Sequence, residues 1–153
     1  MRVITRVRFP WLWLPAAVAG VALQAGLWRV LAPAAKCYVW EGACVFQASG
    51  ASSPYFVRDL TFGAVGLALG LLLGLLFRRR GAEGGPVLQL LLALLGAGAS
   101  FAAAQLGALG SEVAAIDDTF AYDRLSLGAW GLILAWPFGT QLAVWFLGTR
   151  SRG

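Results

Sequence analysis

The chain has 153 residues, of which 59% are hydrophobic and only 12% are charged. A soluble domain has about a quarter of its residues charged, so this composition excludes an ordinary soluble enzyme and leaves no room for a second globular domain beside several membrane spans. The formal net charge of +5 could indicate a nucleic-acid partner, but the basic residues lie between long apolar segments, where they orient a membrane protein instead.

Four apolar segments follow one another along the chain, at residues 11–32, 60–77, 87–109 and 127–148. About 20 apolar residues are needed for a helix to cross the hydrocarbon core of a bilayer. The sequence therefore predicts an all-α membrane protein with four transmembrane helices in an antiparallel bundle. Residues 1–153 form a single membrane domain, and residues 33–58 and 110–126 form two outer loops, of which the first is a cap over the bundle.

The first predicted span has aromatic residues at both ends. Trp11 and Trp13 lie at its start and Trp28 lies near its other end, which is the placement that tryptophan prefers at membrane interfaces. A cleaved signal peptide is the competing interpretation, but its apolar core would be longer than the usual 7–15 or so residues. We therefore interpret the segment as a span.

The second and third spans carry small residues at helical spacing. Residues four apart lie on one face of a helix, where small side chains let another backbone approach closely. The predicted helix-packing residues are Gly63, Gly66, Gly70 and Gly74 in the second span, and Gly96, Ser100 and Gly107 in the third. The pattern favours packing within the chain and leaves contact with another protein open. The short glycine-rich turn between these two spans predicts an antiparallel hairpin.

The second outer loop is acidic and leads into a fourth span interrupted by proline. Asp117, Asp118 and Asp123 lack the spacing of a calcium loop, so they predict a solvated loop and no metal site. Asp123 or Ser126 could cap the last helix. Pro137 lies near the middle of the predicted span, where it predicts a kink.

Cys37 and Cys44 are the only cysteines and lie in the first outer loop. An oxidising compartment favours a disulfide between them. Closing so small a loop stabilises by roughly 2–3 kcal/mol in the chain-entropy model. Two free thiols and a thiol oxidoreductase are the alternatives, although such enzymes usually have Cys-x-x-Cys, a spacing that this chain lacks.

The charges of the loops agree on one orientation. Lys and Arg concentrate on the cytoplasmic side of short loops, so both termini are expected to be cytoplasmic in a plasma-membrane protein. The basic residues that support this orientation are Arg2, Arg6, Arg8, Arg78, Arg79, Arg80, Arg150 and Arg152, against one acid, Glu83.

A charge cluster is predicted at the outer boundary, where the first span ends and the second begins. Asp59 would favour the positive end of the second helix, and Arg29 could pair with it. With Arg58, these residues form the outer-boundary charge cluster, which we expect to hold the cap loop on the bundle.

The chain offers little catalytic chemistry. It contains no histidine, so a Ser-His-Asp or Cys-His arrangement is impossible and most zinc or haem sites are excluded. We expect no enzyme activity, no cofactor and no nucleic-acid partner; the lipid bilayer and other membrane subunits are the expected partners. The leading hypothesis is an accessory or assembly subunit of a larger cell-envelope complex. The alternatives are a small homo-oligomeric channel or transporter lined by Gln24, Gln105 and Gln141, and an extracytoplasmic thiol-disulfide protein.

Residues 20–110 resemble a family of small actinobacterial four-helix membrane proteins without an assigned function. The resemblance rests on Gly26-Leu27-Trp28, Leu31-Ala32-Pro33, Tyr55-Phe56, Asp59, Phe62-Gly63, Arg79-Arg80 and Gly107 through Gly110. The chain lacks the longer polar N-terminal tail of that family, and the two cysteines are not a family feature. The resemblance implies an actinobacterial envelope protein with this topology and supplies no active site.

Overall fold

The computed structural model describes residues 13–41, 43–45, 53–79, 86–112, 114–116 and 120–150. Several residues on which the sequence analysis relies lie outside these ranges. They are Arg2, Arg6, Arg8, Trp11, Arg80, Glu83, Asp117, Asp118 and Arg152.

The described part of the chain is mostly helical. Its elements are, in order, α1 (Trp13–Leu31), β1 (Lys36–Trp40), β2 (Ala43–Val45), α2 (Pro54–Arg79), α3 (Pro86–Ala108), β3 (Ala114–Ala115), β4 (Phe120–Tyr122), a 3₁₀-helix (Trp130–Leu134) and α4 (Ala135–Arg150). Three of the helices, α1, α2 and α3, are long and apolar enough to cross a membrane. The prediction of a membrane protein with several spanning helices agrees with these three elements.

Helix α2 begins six residues earlier than residue 60, where the apolar run starts. Ser53 and Pro54 make this start: the backbone N–H of Tyr55 donates to the Ser53 hydroxyl at 3.3 Å, as at a helix N-cap, and proline is well suited to the first helical position. The predicted loop 33–58 was therefore too long, and Arg58 belongs to the helix.

The fourth helical segment changes geometry along its length. Residues Trp130–Leu134 form a 3₁₀-helix and the α-helix begins only at Ala135, so Pro137 falls in the first turn of α4. Because the first N–H groups of an α-helix have no partner within the helix, proline is tolerated there. The predicted mid-helix kink was wrong for this reason. Neither Asp123 nor Ser126 caps this segment; its first residue follows Ala129, which makes no side-chain capping bond.

The helices form a four-membered bundle in which two neighbouring pairs are parallel. Helix α2 packs mainly on α4 and α1 packs mainly on α3, while α1–α2 and α3–α4 are the antiparallel neighbours. Helices α2 and α3 lie diagonally and make at most isolated contacts. The predicted packing of α2 and α3 as a hairpin was wrong, because a short turn holds two helix ends close without forcing their faces together. The predicted antiparallel arrangement holds for α1–α2 and α3–α4 but not for the parallel pairs α2–α4 and α1–α3.

A small antiparallel sheet, with strand order β2-β1-β4-β3, joins the two outer loops. Strands β1 and β2 form a hairpin in which Trp40 pairs with Ala43, and Glu41 in its turn has a φ of 50°, a left-handed conformation typical of two-residue hairpin turns. Strand β1 then pairs with β4 from the second loop, with Cys37 opposite Ala121. The chain is therefore not all-α. We call the end of the bundle that carries this sheet the sheet end.

Candidate functional site

The predicted glycine face of α2 lies against α4 within the chain. A Cβ added to Gly70 would collide with the carbonyl oxygen of Trp136 and would lie 3.1 Å from the backbone nitrogen of Thr140. At Gly74 it would lie 2.7 Å from the Thr140 carbonyl oxygen, and at Gly63 it would lie 2.9 Å from a methyl group of Leu132. The contacts advance together along both helices, as expected for parallel packing.

Glycines on the other helices complete this packing. A Cβ at Gly139 of α4 would lie 2.5 Å from the Leu67 carbonyl oxygen, so α2 and α4 interlock from both sides. Gly20 of α1 and Gly96 of α3 both face the indole of Trp136, which is buried between the helices. The sequence analysis missed Gly139 and Gly20, although small residues four positions away were an available signal: Ala135 and Ala143 flank Gly139, and Ala16 precedes Gly20.

A buried amide links α1, α2 and α3. The side chain of Gln24 is fully buried; its Nε2 donates to the Phe62 carbonyl at 3.4 Å, and Ser100 donates to its Oε1 at the same distance. Gly66 leaves room for it, since a Cβ there would lie 2.7 Å from Gln24 Nε2. Gly107 similarly receives the ring of Trp28, 2.6 Å from the position of its missing Cβ. Ser100 and Gly107 thus serve α1–α3 packing.

Arg29 caps the end of α3 and does not pair with Asp59 as predicted. Its guanidinium donates to the carbonyl oxygens of Leu109 at 2.9 Å and Gly110 at 3.3 Å. Gly110 has a φ of +69°, the left-handed conformation in which helices commonly end. A cation next to the last carbonyls of a helix is stabilised by the helix dipole, which accounts for this position of Arg29.

Arg58 is only 1% exposed and lies at the centre of the sheet end. Its Nη1 donates to the Arg124 carbonyl at 2.9 Å, and its guanidinium lies 5.2 Å from the centre of the Tyr55 ring. Its Nε has no hydrogen-bond partner within the described part of the chain. The backbone carbonyl of Arg58 accepts the indole N–H of Trp28 at 2.9 Å. The buried guanidinium is thus bound by a backbone carbonyl and by the ring of Tyr55. Both interactions offset part of the free-energy cost of removing its charge from water.

Asp59 holds the second outer loop where it enters the 3₁₀-helix. Its two carboxylate oxygens accept the backbone N–H groups of Gly128 at 3.0 Å and Ala129 at 2.7 Å. Arg58 and Asp59 therefore hold the second outer loop on the bundle at Arg124, Gly128 and Ala129. Within the described residues, the first outer loop, which we expected the cluster to hold, is joined to the second through the pairing of β1 with β4.

The predicted disulfide between Cys37 and Cys44 is confirmed, with 5.4 Å between the two Cα atoms. It crosses the β1–β2 hairpin on the face of β1 that carries Cys37 and Val39; Cys37 is 2% exposed, whereas Cys44 is partly exposed. Thiol exchange needs an accessible sulfur, which Cys37 does not offer. A bond that closes the hairpin with one sulfur buried is consistent with a structural crosslink.

The opposite face of the sheet is aromatic and exposed. Cross-strand pairing places Tyr38 next to Phe120 and Lys36 next to Tyr122, and Trp40 lies further along the same strand. Tyr38 stacks on Trp40, with ring centres 6.4 Å apart, and meets Phe120 edge-on at 6.0 Å. Trp40 is 60% exposed. We call these five residues the aromatic face.

A partly open pocket of about 40 Å³ lies between the helices, and its lining side chains are apolar apart from the Thr140 hydroxyl group. Its wall includes Phe77, Gly96, Trp136 and Thr140, and the Thr140 hydroxyl donates to the Trp136 carbonyl at 3.2 Å. The three glutamines of the channel hypothesis do not converge on it: Gln24 is buried near the sheet end, Gln105 is exposed on α3, and Gln141 donates to the Gln89 carbonyl at 3.0 Å.

The described residues include no group of three or more His, Cys, Asp or Glu side chains able to hold a metal ion. Comparison with protein-family models, with curated proteins and with solved structures finds no match to this chain. The resemblance to the actinobacterial four-helix family stays a prediction.

Proposed function

We propose that the chain is a non-catalytic accessory or assembly subunit of a larger membrane complex in the cell envelope. The single observation that carries this proposal is the aromatic face at the sheet end, where Tyr38, Trp40, Phe120 and Tyr122 form one surface. Aromatic side chains are the residues that contribute most to protein–protein contacts, because they bury a large area with little loss of conformational entropy.

The support beneath this face fits a docking platform. The hairpin is closed by the disulfide, β1 is paired with both loops, and Arg58 and Asp59 attach the second loop to the helices. A rigid surface loses little freedom when a partner binds, so more of the contact energy remains available as affinity.

In the proposed topology the plasma membrane is crossed four times and both termini are cytoplasmic. The 3₁₀-helix and α4 together extend about 34 Å, which is sufficient for the roughly 30 Å hydrocarbon core. The excess of arginine in the termini and in the α2–α3 turn supports this orientation and places the aromatic face outside. Reporter fusions after residue 80 and after residue 126 test it: activity of a periplasmic reporter at 80 would refute the orientation.

The partner is tested by native mass spectrometry of the protein extracted gently from its own membrane. A stoichiometric second protein is expected, and Trp40→Ala should reduce its recovery at least ten-fold, as for an interface hot spot. Trp145→Ala is the matched control, since Trp145 is exposed to a similar extent (65%) at the opposite end of the bundle. Recovery of the chain without any foreign protein, or equal recovery of the partner with both variants, would refute the proposal.

A further inference from the structure

The pocket between the helices suits hydrocarbon better than water. Its one polar side-chain group, the Thr140 hydroxyl, already donates to the Trp136 carbonyl at 3.2 Å. A buried water molecule needs about two to four polar partners, which these lining side chains do not offer. A water-sized group needs about 10–15 Å³, so the pocket of about 40 Å³ has room for roughly three such groups in a row. A methylene group is of similar size, and the pocket therefore fits a short length of one hydrocarbon chain.

The wall of the pocket reaches the lateral surface of the bundle. Phe77, Gly96, Trp136 and Thr140 are buried and form its inner part. Leu95 also lines the pocket and is exposed, although it lies well inside α3 and far from either helix end. In a bundle that spans a bilayer, the lateral surface at such a position contacts lipid tails and not water.

The pocket lies in the half of the bundle that is nearer to the α2–α3 turn. Phe77 precedes the end of α2 at Arg79, and Leu92 follows the start of α3 at Pro86. At a rise of 1.5 Å per residue, these two positions are about 3 Å and about 9 Å from the helix ends. Half of the hydrocarbon core is about 15 Å thick. In the proposed topology, the pocket is therefore at the depth of the acyl chains of the cytoplasmic leaflet.

Arginine follows the pocket directly along the chain. Arg78 and Arg79 end α2, Arg80 comes next in the sequence, and Glu83 is the one acid of the turn. Anionic lipids of the cytoplasmic leaflet attract basic segments at this level of the membrane. A guanidinium group also binds the oxygens of a phosphate through two parallel N–H donors. The charge beside the pocket is thus complementary to the headgroup of an anionic phospholipid.

We propose that the pocket and the arginines at the end of α2 form a binding site for one anionic phospholipid of the cytoplasmic leaflet. A segment of one acyl chain lies between the helices, and the phosphate binds at the arginines. Ala17 and Ala99 line the pocket, where longer side chains would fill the space that the acyl chain takes. The inference rests on the proposed orientation, which assigns the pocket and the arginines to that leaflet.

The site is tested with full-length protein in bilayers of equal amounts of phosphatidylcholine and phosphatidylglycerol. After gentle extraction, native mass spectrometry counts the lipids that remain bound, and one phosphatidylglycerol per chain is expected. Near an anionic surface each arginine contributes about 1 kcal/mol, so replacing Arg78 and Arg79 together with glutamine should lower its retention about thirty-fold. Replacing both with lysine should retain most of the binding, since the charge remains.

Ala99→Leu tests the acyl-chain part of the site. The larger side chain should occupy the pocket and lower the retention of phosphatidylglycerol at least five-fold. Gly98→Leu is the matched control on the same helix, because a Cβ there meets no heavy atom of the described chain within 4 Å and Gly98 does not line the pocket. Equal retention of the two lipids, or equal retention by the Ala99→Leu and Gly98→Leu variants, would overturn the inference.

The failure of this inference is distinguishable from that of the proposed function. Trp40→Ala should leave lipid retention unchanged while it reduces recovery of a foreign partner. A periplasmic reporter that is active after residue 80 would refute the orientation and this inference with it. An inactive reporter together with no retained phosphatidylglycerol would refute this inference alone.

Discussion

Replacing Gly70 with alanine tests the closest contact in the bundle. The added methyl group would collide with the Trp136 carbonyl oxygen and lie 3.0 Å from the Trp136 carbonyl carbon. These are backbone atoms, so no side chain can rotate away and α2 and α4 must separate. Overpacking of a core typically destabilises by 1–3 kcal/mol, and the higher helix propensity of alanine returns about 1 kcal/mol. We expect the free energy of unfolding to fall by about 1 kcal/mol, with an upper limit of about 2 kcal/mol.

The assay is equilibrium unfolding in mixed micelles with increasing dodecyl sulfate, followed by tryptophan fluorescence. Gly26→Ala is the control, because this glycine also lies in the middle of a helix but has no described atom within 4 Å of its missing Cβ. It should be neutral or stabilise by up to about 1 kcal/mol through helix propensity alone. Equal unfolding curves for the two variants would show that α2 and α4 are not as close as the structure has them.

A second substitution adds a test of the interlocking contact. Gly139 faces α2 as Gly70 faces α4, with its missing Cβ 2.5 Å from the Leu67 carbonyl oxygen. Once the helices have moved apart to admit one methyl group, they have room for the other. The double variant of Gly70→Ala and Gly139→Ala should therefore lose less stability than the sum of the single losses, a coupling that a double-mutant cycle measures.

Two further predictions concern the sheet end. Asp59→Ala removes the acceptors of two backbone N–H groups and should lower the free energy of unfolding by about 1–3 kcal/mol in the same titration, with Asp59→Asn intermediate and the exposed Glu112→Ala unchanged. An unchanged Asp59→Ala curve would show that this carboxylate does not hold the loop. Replacing Cys37 and Cys44 together with serine should lower stability by roughly 2–3 kcal/mol without changing the helical circular dichroism of the fold, and reducing agent should have no further effect on that variant.

Hydropathy located the helices well, because a long apolar run indicates a segment that can lie in the hydrocarbon core of a bilayer. It located the start of α2 poorly, since Arg58 and Asp59 interrupt the apolar run although both are buried in the helix. Ser53-Pro54 was the available signal for that start. The strands were missed because they have only two to five residues. Buried Cys37 alternates with outward-facing Lys36 and Tyr38, as in a β-strand. This alternation can be recognised as a strand only once β4, from a distant loop, is known to pair with β1.

The partners of the predicted polar residues could not be derived from their positions along the chain. Opposite charge at one membrane boundary made Arg29 and Asp59 plausible partners. Both instead bind backbone groups left unpaired at helix ends: carbonyls after α3 for Arg29, and N–H groups before the 3₁₀-helix for Asp59. Such groups must find partners wherever water is scarce, and a charged side chain binds them more strongly than a neutral one. Their location depends on which helices are neighbours, and the sequence leaves that choice open.

The glycines also show what can and cannot be derived from the sequence. By spacing alone, the packing roles of Gly70 and Gly98 cannot be distinguished, because both glycines belong to small-residue patterns within apolar helices. The structure separates them by what a Cβ would meet: the α4 backbone at Gly70 and open space at Gly98. A glycine that an internal contact requires is accounted for by that contact, as Gly70 is by α4. At Gly98 and at Gly26 an added Cβ would meet no heavy atom within 4 Å among the described residues, so a small-residue spacing identifies a packed face only when the neighbouring helix is known.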